Sequence, residues 1–325
     1  MSAPYHYRFF DAELSSEIEL PALGTPAEIP QASSESKAVA VRLAAPGLLP
    51  EQSVEWYPLP TLEDTPAFLR VGTVGDHYLL RCDKYVDFRI GPSLSEVVVH
   101  PAPDLPEHTL SHLLLDQALP ALFGQRGRLV LHASAVRWQD RALVFVGEST
   151  WGKSTLAASY GDAGGYLADD AVLLQPGADG QVLATASYPG ARLWPESFDA
   201  LLGEDARHEQ FAHYANKRRH TPRHLEREAP LPLAGIFLIN DPYEAPAEQI
   251  STAPLRGQEM LLLMLRRAFA LHATDPALMQ ALLQQAGSVA RSGAPVRALS
   301  YPRRHELLPE VREKIAAEIA QGPME

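Results

Sequence analysis

Alternating and continuous apolar runs divide the chain into two differently patterned stretches. From residue 1 to about 104, short β-type runs recur between polar or Gly/Pro breaks: Lys37 to Leu43, Ala67 to Val71, His77 to Arg81, Val86 to Ile90 and Glu96 to His100. This predicts a β-rich N-terminal domain. The stretch Leu20 to Pro30 reads as a loose excursion, and Pro101 to Pro106 as a linker. From Glu107, Leu110, Leu113, Leu114, Ala118, Leu119 and Leu122 recur at helical spacing and predict an amphipathic helix, which opens a second domain over 105–325. Strands are expected over Arg128 to Val136, Ala142 to Val146, Tyr166 to Leu174, Gln181 to Ala186, Leu233 to Asn240 and Val296 to Leu299. Helices are expected after Lys153 through Tyr160 and from Pro195. Others follow from Arg256 through Leu261, Leu262, Leu265, Phe269 and Leu271, then Asp275 to Ala286 and Glu306 to Ala320. Strands alternating with helices predict an α/β fold for this second domain.

The chemistry concentrates where the run Ala142 to Val146 ends. Gly147, Glu148, Ser149, Thr150, Trp151, Gly152, Lys153, Ser154 and Thr155 fit G-x-x-x-x-G-K-[ST], entered from a strand and left by a helix-compatible run that Gly161, Gly164 and Gly165 stop. Glycines let backbone N–H groups curl around phosphate oxygens, Lys153 reaches the outer phosphates, and the Ser154 hydroxyl suits Mg²⁺. The bland alternative is a glycine-rich turn with a surface lysine. A second signal follows closely: Asp169 and Asp170 interrupt the apolar run Tyr166 to Leu174. Buried carboxylates need a cation or a shared proton, and period-two alternation on a strand would aim one at a metal and the other at an attacking hydroxyl. An exposed Asp-Asp turn is the alternative. In many P-loop proteins the acidic strand arrives much later in sequence, so the short separation from Lys153 is diagnostic. His132 is a third candidate, on a strand joined by the Gln139-Asp140 turn to the strand that feeds the loop. A satisfied core histidine is the ordinary alternative.

His132-Ala133-Ser134-Ala135-Val136, then Gly147 to Thr155, then Leu167-Ala168-Asp169-Asp170 resemble the catalytic core of bacterial HPr serine kinase/phosphorylase and its HPr-kinase-like relatives. The resemblance implies a P-loop kinase core related to the nucleotide domain of phosphoenolpyruvate carboxykinases, using ATP and Mg²⁺. It implies that Lys153 binds the β/γ-phosphates and that Ser154, Asp169 and Asp170 form the metal side. One of Asp169 and Asp170 would deprotonate an acceptor serine, and His132 would hydrogen-bond that pair. Family members are oligomers, so a homo-oligomer is implied. Thr155 stands where the HPr enzyme has an acidic residue, and that enzyme's downstream signature is missing. Instead, Tyr188 to Pro195, Lys217-Arg218-Arg219 and Tyr301 to Arg304 look like the divergent HPr-kinase-like proteins. Members of that group occur beside peptide natural-product genes and include kinases of lasso-peptide precursors. The expected activity is therefore an ATP-dependent serine kinase acting on a peptide or small protein. A small-molecule kinase and a non-catalytic nucleotide-binding regulatory module are the rival readings.

Composition narrows the setting. The chain has 325 residues, 46% hydrophobic and 21% charged, enough for one large or two modest cores. A net charge of −12 argues against broad nucleic-acid binding, although Lys217 to Arg227 is a local basic run suited to a triphosphate or an acidic peptide, or simply a solvated loop. The single cysteine, Cys82, allows no intrachain disulfide. No run reaches membrane-spanning length and the first residues lack a signal-peptide core, so a cytoplasmic location with no membrane partner is expected. Arg192 is open to two readings, a phosphate or substrate contact or a surface guanidinium stacked beside Trp194.

Overall fold

The computed structural model describes residues 4–26, 38–58, 68–161, 165–203, 205–210, 212–220 and 229–321. Part of the Leu20 to Pro30 stretch, Lys37, Ala67, Gly164 and the Thr221 to Arg227 half of the basic run lie outside them. The chain divides into two compact units, Met1–Gly127 with Ala270–Met279, and Arg128–Phe269 with Gln280–Glu325. Both combine large sheets with helices, a mixed α/β architecture.

The first unit is built on eight strands, β1 (Tyr5–Phe9), β2 (Ala12–Ser16), β3 (Val39–Leu43), β4 (Glu55–Trp56), β5 (Leu69–Val74), β6 (His77–Cys82), β7 (Val86–Ile90) and β8 (Glu96–Pro101). Their order is β1-β2-β3-β8-β7-β6-β5-β4. β3 lies parallel to both β2 and β8, while the other pairs are antiparallel. β1 and β2 escape a reading based on turn residues because their hairpin turns at Phe10-Asp11. Phe10 is buried with φ 49°, and its ring packs edge-on to Phe9 and Phe123. The helical segment predicted from Glu107 forms as α1 (Glu107–Leu113), a π-helical turn over Leu114–Ala118, and α2 (Leu119–Gln125). It groups with the first unit, which runs to Gly127.

Asp87 is fully buried, and its two carboxylate oxygens each accept a 2.7 Å hydrogen bond from Arg81, from Nε and Nη2. Removing Asp87 leaves Arg81 with Glu51 as its remaining carboxylate partner and takes the acceptor from the Leu49 N–H. Asp87→Ala is expected to cost about 1.5–3 kcal/mol in chemical denaturation, the scale of hydrogen bonds to a charged group. A loss below about 1 kcal/mol, the scale of an exposed pair, would show that the contact stabilises nothing.

The second unit contains β9 (Leu129–Leu131), β10 (Ala133–Trp138), β11 (Arg141–Val146), α3 (Lys153–Ala158), β12 (Tyr166–Ala168), β13 (Val172–Pro176), β14 (Val182–Ala186), β15 (Ala191–Leu193) and α4 (Pro195–Leu202). It continues through β16 (Glu209–Gln210), β17 (Arg218–His220), β18 (Leu231–Ile239), β19 (Ser251–Pro254), α5 (Gly257–Arg267), the part of α6 (Pro276–Arg291) from Gln280 on, β20 (Val296–Ser300) and α7 (Leu308–Ala320). The main sheet runs β12-β10-β11-β18-β14-β13-β9, with β20 parallel to β18 and β19 antiparallel to β20. Alternation along β11 explains why helices cover both faces. Ala142, Val144 and Val146 join a cluster with Met260, Leu263 and Met264 of α5 and Ala286 and Val289 of α6. Leu143 and Phe145 join Leu156 of α3 and Val311, Ile315 and Ile319 of α7.

Three predicted elements change. The Arg128 to Val136 strand breaks at His132, and the Tyr166 to Leu174 strand breaks at Asp169 to Ala171. The helix from Arg256 ends at Arg267. Beyond it Ala268 bridges Leu131, and Phe269 N–H donates to the Val130 carbonyl, so backbone pairing along β9 replaces further helix. Its buried face is Met260, Leu263 and Met264, while Leu262 is 41% exposed.

Candidate active site

The sheet order starts at β12 and ends at β9, yet β12 runs on into β13 and β9 into β10. The sheet therefore curls until the two connections cross side by side, joined by the Ala133 N–H on the Asp170 carbonyl at 3.3 Å. Residues at a crossing have left one ladder and not yet entered the next, so their side chains are free for other work. His132 occupies one crossing and Asp169 and Asp170 the other. Asp170 has φ 82°, sparsely populated for a residue with a Cβ, and such backbone persists only where surrounding contacts hold it.

The two carboxylates diverge because of that turn in the backbone, not by strand alternation. Asp169 is 1% exposed. Its Oδ1 accepts from Ser134 Oγ at 2.6 Å and from Ser154 Oγ at 2.9 Å, and its Oδ2 accepts from the Arg192 N–H at 3.0 Å. Asp170 keeps a quarter of its side chain accessible. Its Oδ2 lies 2.8 Å from Arg192 Nη2, and its Oδ1 lies 3.6 Å from His132 Nε2, an ion-pair separation rather than a hydrogen bond. Burial pushes the Asp170 carboxyl up, but the Arg192 guanidinium and the neighbouring His132 outweigh it and hold the group well below the usual carboxylate range.

Of the two readings open for Arg192, the fold rules out the surface one. Arg192 is 4% exposed, not a surface guanidinium beside Trp194. Its Nη2 also donates to the Asp169 carbonyl at 2.7 Å, making it the counter-ion of the acidic pair. It sits on β15, the edge of a small sheet with β17 and β16 that presents little hydrophobic pattern. The available signal was charge balance, since two adjacent buried carboxylates require a cation and Arg192 lies between buried Ala191 and Leu193. Ser134, fully buried, carries no mark in its strand pattern of the bond it makes to Asp169.

Gly147 to Thr155 connects β11 to α3 as expected, although α3 stops at Ala158 instead of reaching Tyr160. Gly152 takes φ 102°, where a side chain is strained and its Cβ would meet Tyr301 Oη at 3.3 Å. Lys153 is 5% exposed, and its Nζ donates to the Gly147 and Glu148 carbonyls at 3.0 Å each, drawing the loop around itself. Burial lowers the Lys153 pKa against the opposing pull of Asp170 and Asp169. His132, Lys153, Ser154, Asp170 and Arg192 line one cleft, with Trp194 and Lys217 at its margin and Arg303 also on its wall. Every predicted catalytic side chain thus converges there or, for Asp169, directly behind it.

The behaviour of the apolar neighbours fixes His132. Its N–H donates to the Arg267 carbonyl at 2.7 Å, and its ring stacks on Phe269 with centroids 5.9 Å apart and planes 7° from parallel. The early end of α5 makes both contacts available. Ser154 Oγ and Asp169 Oδ1 are hard oxygen donors in contact with each other, the donor type Mg²⁺ selects when nucleotide phosphates and water complete its shell. Among the described residues, no group of three or more His, Cys, Asp or Glu side chains forms a metal cage. Among the described residues, too, no helix is long and apolar enough to cross a membrane.

No protein-family model matches the chain, and no curated protein sequence does. Among solved structures, the HPr(Ser) kinase/phosphatase from Coxiella burnetii aligns with a TM-score of 0.30 at 12% identity, over 59% of this chain and 98% of that one. A likeness this loose assigns neither family nor activity, and the chemistry of the cleft is the ground for a functional reading.

Proposed function

We propose that the second unit is an ATP-dependent phosphotransferase that moves the γ-phosphoryl group to a serine hydroxyl of a peptide or small protein. The observation that carries the reading is the division of labour between the carboxylates. Asp169 bonds the phosphate-loop hydroxyl of Ser154, while Asp170 is an ionised carboxylate opening into the same cleft as Lys153.

Ser154 and Asp169 would hold Mg²⁺, which when bound supplies charge neutralisation on the phosphate oxygens. The loop amides of Gly147 to Thr155 and the Lys153 ammonium would bind and orient the triphosphate. Asp170 would accept the acceptor hydroxyl's proton as the new oxygen–phosphorus bond forms. The bond between the γ-phosphorus and its bridging oxygen then breaks, and ADP leaves with that oxygen's electron pair. Arg192 keeps Asp170 ionised, and His132 stands beside its second oxygen. Trp194, 46% exposed with Lys217 Nζ 5.4 Å from its ring centroid, offers the acceptor an apolar and cationic surface at the cleft margin. A lasso-type precursor peptide is the sharper form of the acceptor reading, and a cytoplasmic setting supplies the ATP.

The test is label transfer from Mg-ATP to a panel of serine-bearing peptides, small proteins and small hydroxyl compounds, run beside Lys153→Ala. Phosphoserine formed by the native chain and lost in the variant is the expected result. Label on small hydroxyl compounds alone would make it a small-molecule kinase. Binding of Mg-ATP with no acceptor labelled would replace the kinase reading by a nucleotide-sensing role.

A further inference from the structure

Three parallel strands of the second unit, β11, β18 and β20, end at the same edge of the sheet. β11 delivers the phosphate loop, β18 delivers Asn240-Asp241-Pro242-Tyr243, and β20 delivers Tyr301-Pro302-Arg303. In open parallel sheets ligands sit beyond the carboxyl ends of the strands, so the two later loops are placed to touch whatever the phosphate loop holds. Tyr243 is 62% exposed, the large ring of a loop that otherwise carries the polar Asn240, Asp241 and Glu244. Its position is set by specific contacts. Asp241 Oδ1 accepts from the Tyr243 N–H at 2.8 Å and the Glu244 N–H at 3.2 Å, pinning the turn, and Asn240 Nδ2 donates to Ser300 Oγ at 2.8 Å, tying the loop to β20. Arg303 Nη1 then donates both to the Tyr243 hydroxyl at 3.0 Å and to the Thr150 carbonyl of the phosphate loop at 2.8 Å. The Arg303 guanidinium carbon lies 5.5 Å from the Tyr243 ring centroid, and the Tyr243 hydroxyl lies 3.4 Å from Thr150 Oγ1.

An exposed aromatic ring is thus locked beside the phosphate loop, on the β18 and β20 side, through Arg303, which also lines the cleft. Resting on the reading of that loop as a triphosphate site, we infer that Tyr243, held by Arg303, is the stacking platform for the base of the nucleoside triphosphate. Stacking on a π face is tolerant of base identity, so the platform recognises an aromatic base without selecting strictly among purines. Arg303 acts here as a positioning residue. It couples the platform to the loop that grips the phosphates.

Calorimetric titrations with Mg-ATP and with Mg-tripolyphosphate, which carries the charges without a base, separate the two halves of the site. The native chain is expected to bind ATP about tenfold more tightly than tripolyphosphate. Tyr243→Ala should remove that advantage and leave tripolyphosphate affinity unchanged. Tyr243→Phe, which keeps the ring and loses the hydroxyl that Arg303 holds, should retain part of it, and Lys153→Ala should weaken both ligands. Undiminished ATP binding by Tyr243→Ala, or an equal loss for both ligands, would overturn the platform while leaving the phosphate loop intact. If the native chain bound neither ligand, the triphosphate reading and this inference would fall together.

Discussion

Asp170→Asn is expected to slow phosphoryl transfer about 10²–10⁴-fold, the range of a lost general base, with Mg-ATP affinity close to that of the native chain. The separation of effects follows from which groups each carboxylate touches. Asn is isosteric, so its amide oxygen can still accept from Arg192 Nη2, now 2.8 Å away, and the positive φ of 82° is one that Asn tolerates better than most residues. What disappears is the ionised oxygen facing the cleft. The proposed nucleotide contacts lie elsewhere, on Lys153, the loop amides and the Ser154–Asp169 pair. Asp169→Asn therefore gives the opposite signature: it weakens the oxygen set bonded to Ser154 and should raise the Mg²⁺ concentration needed for half-maximal rate. Single-turnover rates with saturating Mg-ATP make the comparison. Transfer within a factor of three of the native rate in Asp170→Asn would remove Asp170 from the chemistry.

The parts of the site legible in sequence are those whose chemistry is local. A strand, a glycine-bearing loop and a helix in succession are short-range events, so Gly147 to Thr155 was readable from spacing alone. Asp169 and Asp170 betrayed themselves as charges inside an apolar run. The strand breaks at His132 and Asp169 were not readable, because both segments have β-type composition on either side. Only the curl of the sheet decides that each must change ladders. The end of α5 was hidden for a related reason: the apolar spacing continues to Leu271, but the free edge of β9 offers Ala268 and Phe269 backbone partners. Arg192 reaches the acidic pair, Tyr243 and Arg303 reach the Gly147 to Thr155 loop, and Arg267 pairs with Glu148 of that loop, all from distant segments whose local pattern does not say where they go. Burying an arginine in a strand of three residues is a tertiary decision.

Arg192→Met tests that decision. The substitution keeps much of the side-chain volume and removes the cation, leaving Asp169 and Asp170 buried side by side with the Asp169 carbonyl short of a donor. Stability at neutral pH is expected to fall by about 3–5 kcal/mol, the scale seen when one partner of a buried ion pair is removed. The pH dependence carries the diagnosis. In the native chain the Asp170 carboxyl titrates below its unfolded value of about 3.9, so its stabilising contribution is present above that value and is lost as pH falls through the lower, folded one. Without Arg192 the burial that raises this carboxyl is opposed only by His132 and Lys217, and the folded carboxyl is expected to titrate above its unfolded value. The charged group then destabilises the fold at neutral pH, and protonation relieves the penalty as pH falls through the raised value. The stability gap between native and variant should therefore be widest near pH 7 and narrow steadily on acidification. Urea denaturation across pH 4 to 7.5 measures the gap. The transfer rate adds an independent check, because a raised Asp170 pKa moves the acid limb of the rate profile towards neutrality. A gap that stays constant with pH, together with an unmoved acid limb, would mean that Arg192 fills space beside the carboxylates without setting their charge.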